Sequence, residues 1–285
     1  MRNFLTLLIL IFFCASPSIA QKELDKDRRG FIGPVRTIRV ETAFVTNVSG
    51  QSVEGPRVLT QLGSFDEKGT ATGQTIFNLD GSLKFKYGWA TSYDAKGRDT
   101  ERIFYNAAGV PTSKSVSTYD EKGRRVETTF FNPDGPINHI EDFIYDSSGK
   151  MVQQVHRNPD GTIRNTQTYT YDNRARLTAW SLYKPDGTPF QRNVSTYDDK
   201  GRETGLTVYL GDGTPTIEES RSYDDRWNVI EVLRYRNGVL IKRETLTYEF
   251  DARGNWVKRN IARETVQGNT SRSETEVNYR TITYY

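Results

Sequence analysis

Tyr119-Asp120-Glu121-Lys122-Gly123-Arg124 opens the stretch that decides the fold. It continues as Arg125-Val126-Glu127-Thr128-Thr129-Phe130-Phe131 and ends on Asn132-Pro133-Asp134-Gly135. The two ends carry turn chemistry. Asp bonds its own backbone, Pro presets φ, and Gly takes φ > 0 without a steric penalty. The middle has strand composition, with Val126, Thr128 and Phe130 on one side and Arg125, Glu127 and Thr129 on the other. This reads as turn, strand, turn.

The same unit recurs along the chain. Tyr-Asp stands at Tyr93-Asp94, Tyr119-Asp120, Tyr145-Asp146, Tyr171-Asp172, Tyr197-Asp198 and Tyr223-Asp224, always 26 residues apart. Gly97, Gly123, Gly149 and Gly201 close the turns that these pairs open. A second set, Gly109, Gly135, Gly161, Gly187 and Gly213, keeps the same period. Each unit therefore holds two strands and two tight turns, an antiparallel meander. About seven such 26-residue repeats predict an all-β fold of about 14 strands. Open sheets rarely exceed about ten strands without curling, so a curved sheet, spiral or open shell is expected. Residues 21–64 and 250–285 are expected to form non-repeating β caps around an array over 65–249. Tyr93, Tyr119, Tyr145, Tyr171, Tyr197 and Tyr223 line one edge. Phe77, Tyr105, Phe131, Tyr183, Tyr209 and Tyr235 line the other.

The first twenty residues read differently. Arg2 precedes an apolar run from Phe4 to Phe13, then Pro17 and Ser18-Ile19-Ala20. This is the pattern of a secretory signal peptide, with cleavage expected after Ala20. The run is too short for a membrane-spanning helix, which needs roughly 20 apolar residues. Cys14, the only cysteine, lies within the signal behind Phe12 and Phe13, a poor setting for lipid attachment. The mature chain would carry no thiol, hence no disulfide, thiolate metal site or cysteine catalysis. It would be secreted or periplasmic. Its charge is near neutral, without clustered basic residues, which argues against nucleic acid as a partner.

Tyr-Asp-x-x-Gly-Arg at regular spacing resembles the YD repeat of Rhs proteins. Tyr93 to Arg98, Tyr119 to Arg124 and Tyr197 to Arg202 match it, and Tyr145 to Lys150 differs by one Lys. Tyr171 to Arg176 has Ala175 where Gly is expected, and Tyr223 to Asn228 has Trp227 and Asn228. The resemblance implies a β-rich, shell-like repeat fold outside a bacterial cell. Rhs shells encapsulate a toxin and end in a distinctive core motif. No such motif stands here, so a toxin role does not carry over.

No catalytic, metal or cofactor constellation is expected. His139 and His156, the only histidines, fall in different strands without ligand spacing around them. The turn aspartates lack the dense acidic spacing of a calcium loop. Asp94 with Arg98, Asp120 with Arg124 and Asp198 with Arg202 are expected to pair across their turns. Trp89, Trp180, Trp227 and Trp256 are candidates for stacking on sugars, against the plainer reading that they pack over turns. The expected function is a secreted, non-enzymatic, Rhs-like structural or interaction scaffold. The alternative is a carbohydrate- or envelope-binding module, its partner a protein or a polysaccharide.

Overall fold

A computed structural model describes residues 30–268 and 270–285. The expected signal, its cleavage site and Cys14 lie outside the described residues. The chain forms β1 (Val35–Val48), β2 (Gln51–Glu54), β3 (Val58–Phe65), β4 (Ala71–Phe77), β5 (Leu83–Tyr93), β6 (Asp99–Tyr105) and β7 (Pro111–Tyr119). It continues with β8 (Arg125–Phe131), β9 (Ile137–Tyr145), β10 (Met151–Arg157), β11 (Ile163–Tyr171), β12 (Leu177–Tyr183) and β13 (Pro189–Tyr197). It ends with β14 (Glu203–Leu210), β15 (Pro215–Tyr223), β16 (Val229–Arg236), β17 (Val239–Phe250), β18 (Trp256–Gln267) and β19 (Thr270–Tyr284).

The turns follow from their sequences. At Asp120 the backbone N–H donates to the Arg124 carbonyl at 2.9 Å, and Gly123 N–H returns to the Asp120 carbonyl at 2.9 Å. Asp120 Oδ1 accepts the Arg124 N–H at 2.8 Å. Gly123 holds φ +80°, the left-handed value that closes a type I turn into a bulge. The Pro-Asp-Gly turns repeat the scheme, with Gly135 at φ +105° and Gly161 at +85°. Ala175 and Trp227 are forced to φ +62° and +70° where the other repeats have glycine. Ala175→Gly should therefore stabilise the fold by about 0.5–1 kcal/mol, and Gly135→Val should destabilise it by about 1 kcal/mol or more. Chemical denaturation of both variants checks the pair. Equal midpoints would contradict the turn assignment.

The expected open shell is not what forms. β1 pairs with β3 on one side and with β19 on the other, from Val35↔Tyr284 to Val45↔Thr275. β1 and β3 to β19 close an antiparallel barrel of 18 strands, while β2 folds back only onto the end of β1. Two features explain the closure. Nearly every ladder carries one register shift beside its turn, such as that between Thr118 and Tyr119, and each bulge adds twist and bend to the sheet. The end strands β1 and β19, 14 and 15 residues long, would otherwise present unpaired edges. The terminal segments therefore seal the ring and do not cap an open array.

Alternate residues face the lumen and the outside. Side chains converge on the inner wall, where Ser115, Thr128, Tyr169, Leu246 and Ile261 are buried. They splay on the outer wall, where Thr118, Ile144, Thr170, Thr196 and Ser222 are exposed. Arg125, expected on the same side as Glu127, is turned by the bulge to the opposite, inner side and meets Asp99 at 2.5 Å. An apolar cluster of Phe31, Val35, Ile38, Phe65 and Ala71 fills the seam at the end where the Asp turns lie.

Candidate functional site

The Asp-turn rim is a continuous lattice. Asp94, Asp120, Asp172 and Asp198 each hold the Arg four residues on, at 2.6–2.7 Å. The Arg backbone N–H and then its guanidinium keep Asp94, Asp120 and Asp172 below the ordinary carboxylate range. Each Arg then lies over the Tyr of the following repeat: Arg98 over Tyr119 at 4.6 Å, Arg124 over Tyr145 at 4.7 Å and Arg176 over Tyr197 at 4.8 Å. That Tyr donates its hydroxyl back to a carbonyl twenty residues earlier, Tyr145 to Arg125 and Tyr171 to Met151, both at 2.8 Å. From Arg98 to Tyr223 each repeat is thus tied to its neighbour by a charge, a ring and a hydroxyl. Burial, helped by the bond to Asp99, pushes Tyr119 up to about 12.

Two clusters of charged groups on the inner wall pair internally. Glu219 takes Arg221 at 2.7 Å and Arg234 at 2.5 Å, and Arg221 also meets Glu203. Arg263 joins Glu244 at 2.6 Å, Glu274 at 3.4 Å, and Glu276.

His139 and His156, read from sequence as unrelated, are neighbours on the inner wall. Phe130, His139 and His156 form a row of near-parallel rings, with centroids 4.2 and 6.5 Å apart. Glu141 Oε1 lies 3.7 Å from His139 Nε2 and 3.5 Å from His156 Nδ1. Gln154 donates to Glu141 at 3.1 Å, and Gln167 meets His156 Nε2 at 3.1 Å. Trp180 donates its indole N–H to Gln167 at 2.9 Å. No cluster of three potential ligands suited to a metal occurs among the described residues.

Burial lowers both histidines from their ordinary 6.5, and the positive charge of Arg164 adds to it. Burial raises Glu141 from 4.5, outweighing the bond from Gln154 and the charge of Arg125. For the histidines, the unfolded chain binds protons first as the pH drops. Their contribution is intact above 6.5 and is lost as the pH falls through the depressed folded values. The raised Glu141 acts in the opposite sense nearer its own range. Stability of the parent should therefore decline as the pH falls below about 6.5, and less so in His139→Gln/His156→Gln. Denaturant midpoints measured at falling pH from about 6.5 test this; identical slopes would contradict it.

The tryptophans divide. Trp227 is 57% exposed at the Asp-turn rim. Trp256 lies beneath Arg280, 3.8 Å from the ring centroid, and Arg259, at 4.9 Å. Burial and the neighbouring Arg259 bring Arg280 down to about 10. Trp89 belongs to a row that the sequence reading missed. Phe85, Tyr87 and Trp89 share the lumen face of β5, with centroid spacings of 5.4 and 5.3 Å and interplanar angles of 10° and 25°. The signal was present as Phe85-Lys86-Tyr87-Gly88-Trp89, aromatics at strand period. A shallow groove of about 720 Å³ crosses β1, β3, β4 and β5, lined by Thr37, Ser64, Gly73 and Gly88 together with Gln74, Tyr87 and Trp89.

No family model matches the chain, and no curated protein matches it. Among solved structures it is similar to a porin-like protein from Bacteroides uniformis, with a TM-score of 0.45 and 10% identity, covering 89% of this chain and 98% of that one. It is also similar to part of the Photorhabdus luminescens Tc holotoxin pore, with a TM-score of 0.41 and 15% identity, covering 75% of this chain and 12% of that one. A porin-like protein from Bacteroides vulgatus aligns over 90% of this chain and 99% of its own, with a TM-score of 0.30 and 9% identity.

Proposed function

We propose that the chain is an exported, non-enzymatic β-barrel of Rhs-like repeats that works in water as a structural or interaction scaffold. The outer wall carries this reading. A barrel that spans a membrane needs an outward apolar band about 25 Å tall. Here Arg157 bridges Asp142 at 2.5 Å and Glu127 at 3.7 Å, and Lys114 meets Glu101 at 3.4 Å, all facing outward. Exposed Arg192 and Glu218 add to them within β13 and β15. Around Glu219 and Arg263 the inner charges are paired with one another, which suits a rigid wall. The mature chain beginning at Gln21, purified without detergent, should stay monodisperse and remain in the aqueous phase on detergent partitioning. Recovery in the detergent phase would overturn the reading.

Half-exposed aromatic rings on the inner wall favour a second reading, a carbohydrate-binding barrel. Sugars present an apolar C–H face to an aromatic ring and a hydroxyl edge to nearby amides.

A further inference from the structure

The geometry points to a site for an extended, neutral glycan on the inner wall along β5; it rests on the carbohydrate-binding reading above. Phe85, Tyr87 and Trp89 form an offset staircase leading inward from the Gly-turn mouth. Phe85 is 40% exposed and Tyr87 37%, although both point into the barrel. Trp89 packs against the seam cluster and fixes the inner end. Tyr87 donates its hydroxyl to Gln74 Oε1 at 2.7 Å, which sets the ring and leaves the Gln74 amide nitrogen as a donor.

The surroundings select against charge. Gln74 and Ile76 on β4, with Phe104 on β6, share this face with the staircase. Lys84 and Lys86 alternate to the outside. Among the described residues no cation lies over Phe85, Tyr87 or Trp89, whereas the rim tyrosines each carry one. Arg102, on the same face, is turned to Asp99 at 3.7 Å. A ladder of rings with a neutral amide beside it fits the alternating faces of uncharged sugars, and offers an acidic polymer no counter-charge.

Cellohexaose and maltohexaose are the probes, with hexagalacturonate as the acidic comparison, read by calorimetry and tryptophan fluorescence on the mature chain. At least one neutral hexaose should bind. Phe85→Ala/Tyr87→Ala should weaken it by about tenfold or more. Both side chains are half-exposed, and circular dichroism is the check that the variant remains folded. Trp227→Ala, outside the lumen, should bind as the parent does. Binding that survives the double variant but is lost in Trp227→Ala would overturn the site while leaving a carbohydrate role. Preference for hexagalacturonate would overturn the neutral-glycan assignment. No binding of either neutral probe by folded protein would overturn both the site and the carbohydrate reading, leaving the scaffold reading in place.

Discussion

Asn255→Ala is expected to destabilise the barrel by about 2–4 kcal/mol, because it removes a buried amide that makes three hydrogen bonds at once. Asn255 is only 2% exposed and sits in the turn between β17 and β18. Its Oδ1 accepts the Ile32 N–H at 2.8 Å. Its Nδ2 donates to the Ile32 carbonyl at 2.9 Å and to the Tyr284 hydroxyl at 2.8 Å. One amide therefore ties the segment before β1, the end of β19 and the last Asp turn together. Tyr284 also donates to Asp251 Oδ2 at 2.8 Å, so the loss spreads into the turn itself. Equilibrium denaturation reads the effect. A change under about 0.5 kcal/mol, the size expected of an ordinary surface substitution, would show that these contacts do not hold the seam.

Arg263→Met carries the second large effect. The guanidinium is the shared partner of Glu244, Glu274 and Glu276 on adjacent strands of the inner wall. Its removal leaves three carboxylates facing one another. Breaking a fully buried pair costs about 3–5 kcal/mol; lumen water reaches this cluster, so about 2–3 kcal/mol is expected. Lys242, at 2.9 Å from Glu244, compensates only one of the three. Arg263→Met/Glu276→Met should recover part of the loss, since it removes a charge together with its partner. Failure of the second substitution to recover stability would show that packing, not charge, sets the cost.

Local structure was legible in the sequence because it depends on residues close together. Asp120 to Arg124 contains every group needed for its turn, and the same holds at Asp94, Asp146 and Asp198. The Asp–Arg pairing was legible for the same reason. Closure was not, because it joins Val35 to Tyr284, and no local pattern records which strands meet at an edge. The bulges that supply the curvature leave a faint trace, since each is one extra residue beside a turn. Arg125 shows the consequence: strict alternation sends it outward, and a single bulge brings it in to Asp99. His139, His156 and Glu141 were missed because metal and catalytic signatures are sought along the chain. In a meander, neighbours on a wall come from adjacent strands. The stack of Phe85, Tyr87 and Trp89 was legible as period-two aromatics, but which face of β5 they share depends on how the sheet closes, which no local pattern records.

The most direct test of the closed barrel is a cross-link between its first and last strands. Thr37 and Thr283 are partners across the β1–β19 ladder, with hydroxyl oxygens 2.5 Å apart. Thr37→Cys/Thr283→Cys introduces the only two thiols in a chain that starts at Gln21. A disulfide needs Cα atoms within about 4.4–6.8 Å, which a paired ladder provides. Mild oxidation followed by non-reducing mass analysis should give an intramolecular disulfide in the monomer, at a yield that does not depend on protein concentration. Free thiols after oxidation of folded protein, or disulfides found only between chains, would mean that the two ends do not meet and that the sheet is open.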